Sequence, residues 1–142
     1  MMKVDESIVI DAAQDAVFAY VTDPTKMAEW LPSMVETRNI VGSGEGQQYE
    51  WTYKLAGLLF RGQTVVVEQA PSELSVFQTI GAVNSTWTFH FEPTDGGTSF
   101  RLLIEYEVPM PVLGRLAERV ISKRNSRTIC LALNNVKDTL EI

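Results

Sequence analysis

The sequence is poor in the residues that most site chemistry needs. It has one cysteine, Cys130, and one histidine, His90. A single cysteine excludes an internal disulfide and a cysteine-rich metal site, and no set of side chains stands at metal-ligand spacing. With no cation pattern around it to favour a thiolate, Cys130 reads as a small helical side chain. His90 alternates out of phase with Trp87, Phe89 and Phe91, so it points to the face opposite theirs, and no Ser–His–Asp arrangement follows from the spacing. Gly42, Gly44 and Gly46 do not match a phosphate-cradling motif between strand and helix and read as a loop. No apolar run approaches the roughly eighteen residues that span a bilayer. Met1 to Glu6 has no apolar segment of the secretory kind, so the cytoplasm is the expected location.

What is present is globular. The 142 residues suit one domain, residues 1–142, and 45% hydrophobic with 21% charged residues allow a substantial core. The net charge of −6 argues against nucleic-acid binding. Its distribution is uneven. Arg115, Arg119, Lys123, Arg124 and Arg127 fall within thirteen residues, opposed only by Glu118, so this window is +4 and the rest of the chain −10. Arg115, Arg119, Lys123 and Arg127 recur every fourth residue and form one stripe on a helix. Such a stripe is either a solvated face or a transient contact for an anionic membrane or an acidic protein.

Periodicity orders the chain. Lys3 to Ile10 alternates as a strand. Asp11 and Gln14 have the spacing of a capping box for a short helix. Asp23-Pro24 starts a second short helix that stops before Pro32. Six strands follow: Met34–Val41, Gln47–Leu55, Leu58–Gln69, Glu73–Ile80, Asn84–Glu92 and the strand carrying Phe100 to Tyr106. Placing Leu55 opposite Leu58 sets Trp51 against Gly62, where a missing side chain leaves room for the indole. On the other face Thr52 and Glu50 then lie near Arg61 as an ordinary exposed pairing. The Thr94-Asp95-Gly96-Gly97 hairpin pairs Pro93 with Thr98, Phe89 with Leu102 and Trp87 with Ile104. From Val112 to Glu141 the sequence suits one helix of about 45 Å. Its apolar stripe changes face partway, from Leu113, Leu116, Ala117, Val120 and Ile121 to Ile129, Leu133, Val136 and Leu140. The second half closes the core, and the first roofs something else.

The first strand running into Asp11-Ala12, the Asp23-Pro24 to Trp30-Leu31-Pro32 helix, Trp87-Thr88-Phe89, Gly96-Gly97-Thr98, and Tyr106-Glu107-Val108-Pro109 before the last helix resemble the START-like helix-grip (SRPBCC) superfamily, which includes polyketide cyclase/dehydrase-like proteins. The resemblance covers nearly the whole chain and rests on packing and turn signatures. It implies an α+β helix-grip fold: a seven-stranded antiparallel sheet wrapped around a long C-terminal helix, two short helices after strand 1, and a cavity between sheet and helix for an apolar ligand.

Within that frame the aromatic face is the candidate site. Trp51, Tyr53, Phe60, Trp87, Phe89 and Tyr106, with Leu116, Val120 and Arg124 from the first half of the last helix, are the expected ligand-binding residues; the alternative is a plain core. Gln47, Gln78 and Thr64 are read as in phase with this face and able to hydrogen-bond a ligand. Arg124 is read as a cation at the cavity mouth, or as one that snorkels to water. No catalytic residue is identified and no cofactor or metal is expected. The expected function is binding of a small hydrophobic or aromatic molecule, a lipid, quinone or polyketide-like compound, as a carrier or sequestering protein. The alternative is a polyketide cyclase/dehydrase-like enzyme in the same cavity, with Tyr53, Tyr106 or Arg124 as proton donor or enolate stabiliser.

Overall fold

The computed structural model describes residues 2–55, 57–81, 84–107 and 115–141, without the side chains of residues 55, 115–118 and 120–122. In chain order it has β1 (Met2–Ile10), α1 (Gln14–Thr22), a 3-10 turn (Pro24–Lys26), α2 (Met27–Trp30), β2 (Met34–Val41), β3 (Gln48–Leu55), β4 (Leu58–Ala70), β5 (Leu74–Gly81), β6 (Ser85–Thr94), β7 (Gly97–Tyr106) and α3 (Arg115–Leu140). The strands form one antiparallel sheet in the order β1-β7-β6-β5-β4-β3-β2. The chain leaves β1, crosses to the far edge through α1 and α2, and meanders back until β7 pairs with β1. With α3 packed against β1 and α2, this is the α+β helix-grip fold.

The registers expected from turn chemistry are the ones observed. Leu55 pairs with Leu58 and Trp51 with Gly62; Pro93 pairs with Thr98, Phe89 with Leu102 and Trp87 with Ile104. Asp23 starts the 3-10 turn as a cap, its Oδ1 accepting from the Thr25 N–H at 3.0 Å and the Thr25 hydroxyl at 2.7 Å. The capping box at α1 does not form. Ala13 occupies the cap position without a side-chain bond. The Gln14 amide instead donates to the carbonyls of Ser72 and Phe91, tying α1 to the β4–β5 turn and β6. The Asp11 N–H is taken by Glu141 Oε1 at 2.7 Å.

The core lies on the sheet face covered by the helices. Trp30 of α2 stands edge-on to Phe89 and Phe100, with centroids 6.0 and 6.5 Å away. Phe91 stacks on Phe100 at 5.0 Å and meets Phe18 of α1 edge-on at 5.3 Å. Ile129, Ala132, Leu133 and Val136 bury one stripe of α3 in this cluster, and Asn135 Nδ2 donates to the Trp30 carbonyl at 3.2 Å. The C-terminal half of α3 therefore closes the core with its own apolar stripe. Val112 and Leu113 lie outside the described residues, as do the side chains of Leu116, Ala117, Val120 and Ile121.

Candidate ligand-binding face

Partners in an antiparallel ladder share a face, so the registers assign the inner face rung by rung. One rung is apolar and runs Val66, Phe77, Trp87, Ile104, Val4 across β4, β5, β6, β7 and β1. The next carries hydroxyls on five strands in succession: Tyr49, Thr64, Thr79, Ser85 and Tyr106. Beyond it lie Trp51, Gly62 and Gly81, and then Tyr53 opposite Phe60.

Burial is graded along this face. Phe89, Phe100 and Leu102 are 0% exposed. Tyr53, Phe60, Trp87 and Met34 are only half-buried, although they continue the same apolar surface. The sheet is thus sealed at one end by α1, α2 and the C-terminal half of α3, and part-open at the other, where Tyr53, Phe60, Trp87 and Met34 keep some exposed surface although Tyr49, Trp51 and Tyr106 are buried.

The hydroxyls of the inner face are tied to neighbouring groups. Tyr106 carries a hydroxyl that accepts from Asn125 Nδ2 of α3. Ser85 Oγ accepts from Trp87 Nε1 at 3.0 Å and bonds the Thr79 hydroxyl. The Tyr49 hydroxyl is bonded to Met27 Sδ at 3.2 Å. Burial pushes the Tyr49, Tyr53 and Tyr106 phenols above the ordinary tyrosine range, opposed by hydrogen bonds from Thr64, Ser33 and Asn125 respectively. These phenols stay protonated at neutral pH and can donate.

Of the residues expected from sequence, Trp51, Tyr53, Phe60, Trp87 and Tyr106 come together at this open end. Phe89 lies deeper, edge-on to Phe77, Phe91 and Phe100, and forms the floor. Leu116 and Val120 have side chains outside the described residues. Arg124 is exposed, and so is Leu131, which shares its side of the helix; that side faces away from the Ile129–Leu133–Val136 stripe. Thr64 is buried on the inner face as read, and Gln47 is half-buried with its amide on the Gly42 carbonyl at 3.1 Å. Gln78 is a correction: Phe77 stacks on Trp87 at 5.5 Å, which sends Gln78 to the exposed outer face. Thr52 is another, being buried on the outer face with its hydroxyl accepting from Arg38 Nη1 at 2.9 Å, while Glu50 accepts from Asn39.

Ser33, Thr79, Ser85 and Asn125 were not anticipated. Asn125 had a signal, since it lies four residues before Ile129 on the buried stripe. His90 is paired in register with Leu74 and Arg101, away from the aromatic rungs. Partial burial, and then the Glu6 carboxylate, push the Cys130 thiol up, the wrong direction for a nucleophile. Among the described residues no cluster of His, Cys, Asp and Glu could hold a metal ion, and no helix is long and apolar enough to cross a membrane.

Solved structures share this architecture. Protein TTHA0849 of Thermus thermophilus superposes with a TM-score of 0.85 at 18% identity, over 98% of this chain and 97% of that one. A START superfamily protein from Mycobacterium smegmatis gives 0.82 at 16% identity, over 98% and 97%. The Zhui aromatase/cyclase from Streptomyces sp. R1128 gives 0.81 at 16% identity, over 99% and 93%. At these identities the likeness is one of fold. No curated protein matches the sequence. The family model described as "Polyketide cyclase / dehydrase and lipid transport" matches residues 1–141, and the chain belongs to that family.

Proposed function

We propose that this protein binds a small hydrophobic or aromatic molecule between the open end of the sheet and α3, as a carrier or sequestering protein. The observation that carries this reading is the grading of one continuous aromatic face, sealed at Phe89 and Phe100 and half-open at Tyr53, Phe60 and Trp87. A part-exposed apolar face rimmed by a few oriented polar groups is the surface that such ligands complete. Burying apolar ligand area there contributes about 25 cal/mol per Å². Trp51, Tyr53, Phe60, Trp87 and Tyr106 form the walls and Phe89 the floor. The first half of α3 would roof the ligand; the Leu116 and Val120 side chains expected there lie outside the described residues, and Arg124 is exposed.

A second reading, a cyclase/dehydratase-like enzyme in the same place, draws on the protonated phenols. Tyr106 is oriented by Asn125 and Tyr53 lies within electrostatic reach of it. Two positioned donors can stabilise a developing enolate. The exposed Arg119, Lys123 and Arg127, in line with Arg115, would bring the protein to an anionic membrane or acidic protein.

Native mass spectrometry of freshly purified protein tests the binding reading. The expected result is a mass excess of a few hundred daltons that organic extraction removes. A single mass matching the bare chain, together with no saturable uptake of hydrophobic aromatic probes, would overturn it.

A further inference from the structure

The three tryptophans of the chain have three different fates. Trp87 Nε1 is satisfied by Ser85 Oγ. Trp30 and Trp51 each have a buried Nε1 with no hydrogen-bond partner among the described residues. Trp30 is fully enclosed by the aromatic core, where nothing can enter. Trp51 is 6% exposed but sits beside half-buried Tyr53, with ring centroids 6.5 Å apart, at the open end of the face.

The position of the Trp51 indole is built. Its ring lies over Gly62: a Cβ there would stand 2.4 Å from Cζ2 and 2.7 Å from Cη2. Gly81 is the next residue on that rung, its backbone packed closely against Gly62. A buried, unsatisfied donor costs about 1–3 kcal/mol, and one held beside the part-exposed Tyr53 calls for a partner. The neighbouring hydroxyls already have one. Tyr49, Ser85 and Tyr106 all have protein partners, and Thr79 bonds Ser85.

The sheet rungs around Trp51 also disfavour a charged ligand. From Tyr53–Phe60 through Trp51–Gly62–Gly81 to Tyr49–Thr64–Thr79–Ser85 they contain no lysine or arginine. An anion seated there would lose its hydration without a cation in return from the sheet; burial likewise pushes the Tyr49 and Tyr53 phenols above their ordinary range.

We propose that Trp51 is the specificity-determining hydrogen-bond donor of this site, and that the ligand is an uncharged aromatic or alicyclic molecule bearing an acceptor oxygen, such as a ketone or quinone carbonyl. This rests on the binding face proposed above and adds which chemistry that face selects.

The test uses three probes of one shape: 2-isopropenylnaphthalene, 2-acetylnaphthalene and 2-naphthoate, each measured by equilibrium dialysis. The ketone is expected to bind about tenfold more tightly than the hydrocarbon, and the carboxylate more weakly than both. In Trp51→Phe the ketone-to-hydrocarbon ratio falls to about one. Because the smaller ring could let the Gly62 region collapse, a second variant carries 3-benzothienylalanine at position 51, which keeps the bicyclic shape and replaces the N–H by sulfur. It must lose the same ratio while unfolding at the wild-type temperature. Equal binding of ketone and hydrocarbon to the wild type, a ratio that survives in the benzothienyl variant, or preference for the carboxylate would each overturn the Trp51 assignment while leaving the binding face standing. Failure of all three probes to bind would remove the face itself, and the assignment with it.

Discussion

At the scale of single residues, Gly62 does more than any polar side chain to shape the site. It lies on the inner face of β4, where the absent side chain is replaced by the Trp51 indole. A Cβ would meet that ring at 2.4 Å and the Ile80 carbonyl oxygen at 2.6 Å. The ring could swing, but the carbonyl belongs to the neighbouring strand and cannot. Gly62→Ala is therefore expected to lower unfolding stability by about 1–3 kcal/mol, as overpacked cores do, and to alter the near-ultraviolet circular dichroism of Trp51. Urea denaturation with an unchanged midpoint and an unchanged aromatic spectrum would show that the indole does not rest on Gly62. This pairing was legible in the sequence, because a two-residue turn at Ala56-Gly57 leaves one register and that register leaves one place for Trp51. The orphaned Nε1 was not: no pattern in the chain says which of three indoles finds an acceptor.

At the scale of elements, the strands were readable and the ends of helices less so. Alternation and hairpin chemistry located six of the seven strands to within two residues and the last by its Phe100 to Tyr106 stretch, within the observed Gly97–Tyr106, because each β-turn is announced by local sequence. The face of β5 was ambiguous since both of its alternating sets, Ser75-Phe77-Thr79 and Val76-Gln78-Ile80, mix polar with apolar residues; only the Phe77–Trp87 stack decides it. The capping box failed for a related reason: the Gln14 Nε2 is held by the distant carbonyls of Ser72 and Phe91, and the Asp11 N–H that its oxygen would accept from is taken by Glu141. The end of α3 shows the same long-range control. Lys137 Nζ donates to the Val9 carbonyl at 3.0 Å and pairs with Glu141 Oε1 at 2.6 Å, while that oxygen also accepts from the Asp11 N–H. The Lys137 ammonium first, and the Asp11 N–H second, hold the Glu141 carboxyl below its ordinary 4.5. A depressed carboxylate stabilises the fold above its unfolded pKa, and the contribution is lost as pH falls through the folded value. Hydrogen exchange in the last turn of α3 should therefore accelerate severalfold, after correction for intrinsic rates, as the pH drops below 4.5. Glu141→Gln should show the faster exchange already at pH 7 and little further change on acidification. Wild-type protection in that variant would mean that the turn is held by packing alone.

At the scale of the whole molecule, charge is segregated as sharply as polarity. The Arg115–Arg127 window is +4 on a chain whose remainder is −10, and Arg119, Lys123, Arg124 and Arg127 are exposed. None of them forms an ion pair among the described residues, whereas Lys3, Lys26, Arg38, Arg101 and Lys137 all do. Like charges repeated every fourth residue weaken a helix slightly, so the stripe is not explained by helix stability. Its sign is explained if that face meets an anionic surface, to which each cation contributes about 1 kcal/mol within a Debye length of roughly 10 Å at 0.1 M salt. The acidic remainder would be repelled by the same surface, so approach is oriented with α3 leading. That places the part of the helix proposed to roof the ligand nearest the membrane, where an apolar molecule could pass between bilayer and protein. In flotation assays the protein should rise with phosphatidylcholine vesicles containing phosphatidylserine at low salt, and stay behind at high salt or with pure phosphatidylcholine. The triple variant Arg119→Glu, Lys123→Glu, Arg127→Glu should stay behind under all conditions, with its unfolding midpoint little changed because the three side chains are exposed. Flotation of the triple variant at wild-type levels, or no flotation of the wild type at low salt, would leave the basic stripe a solvated face.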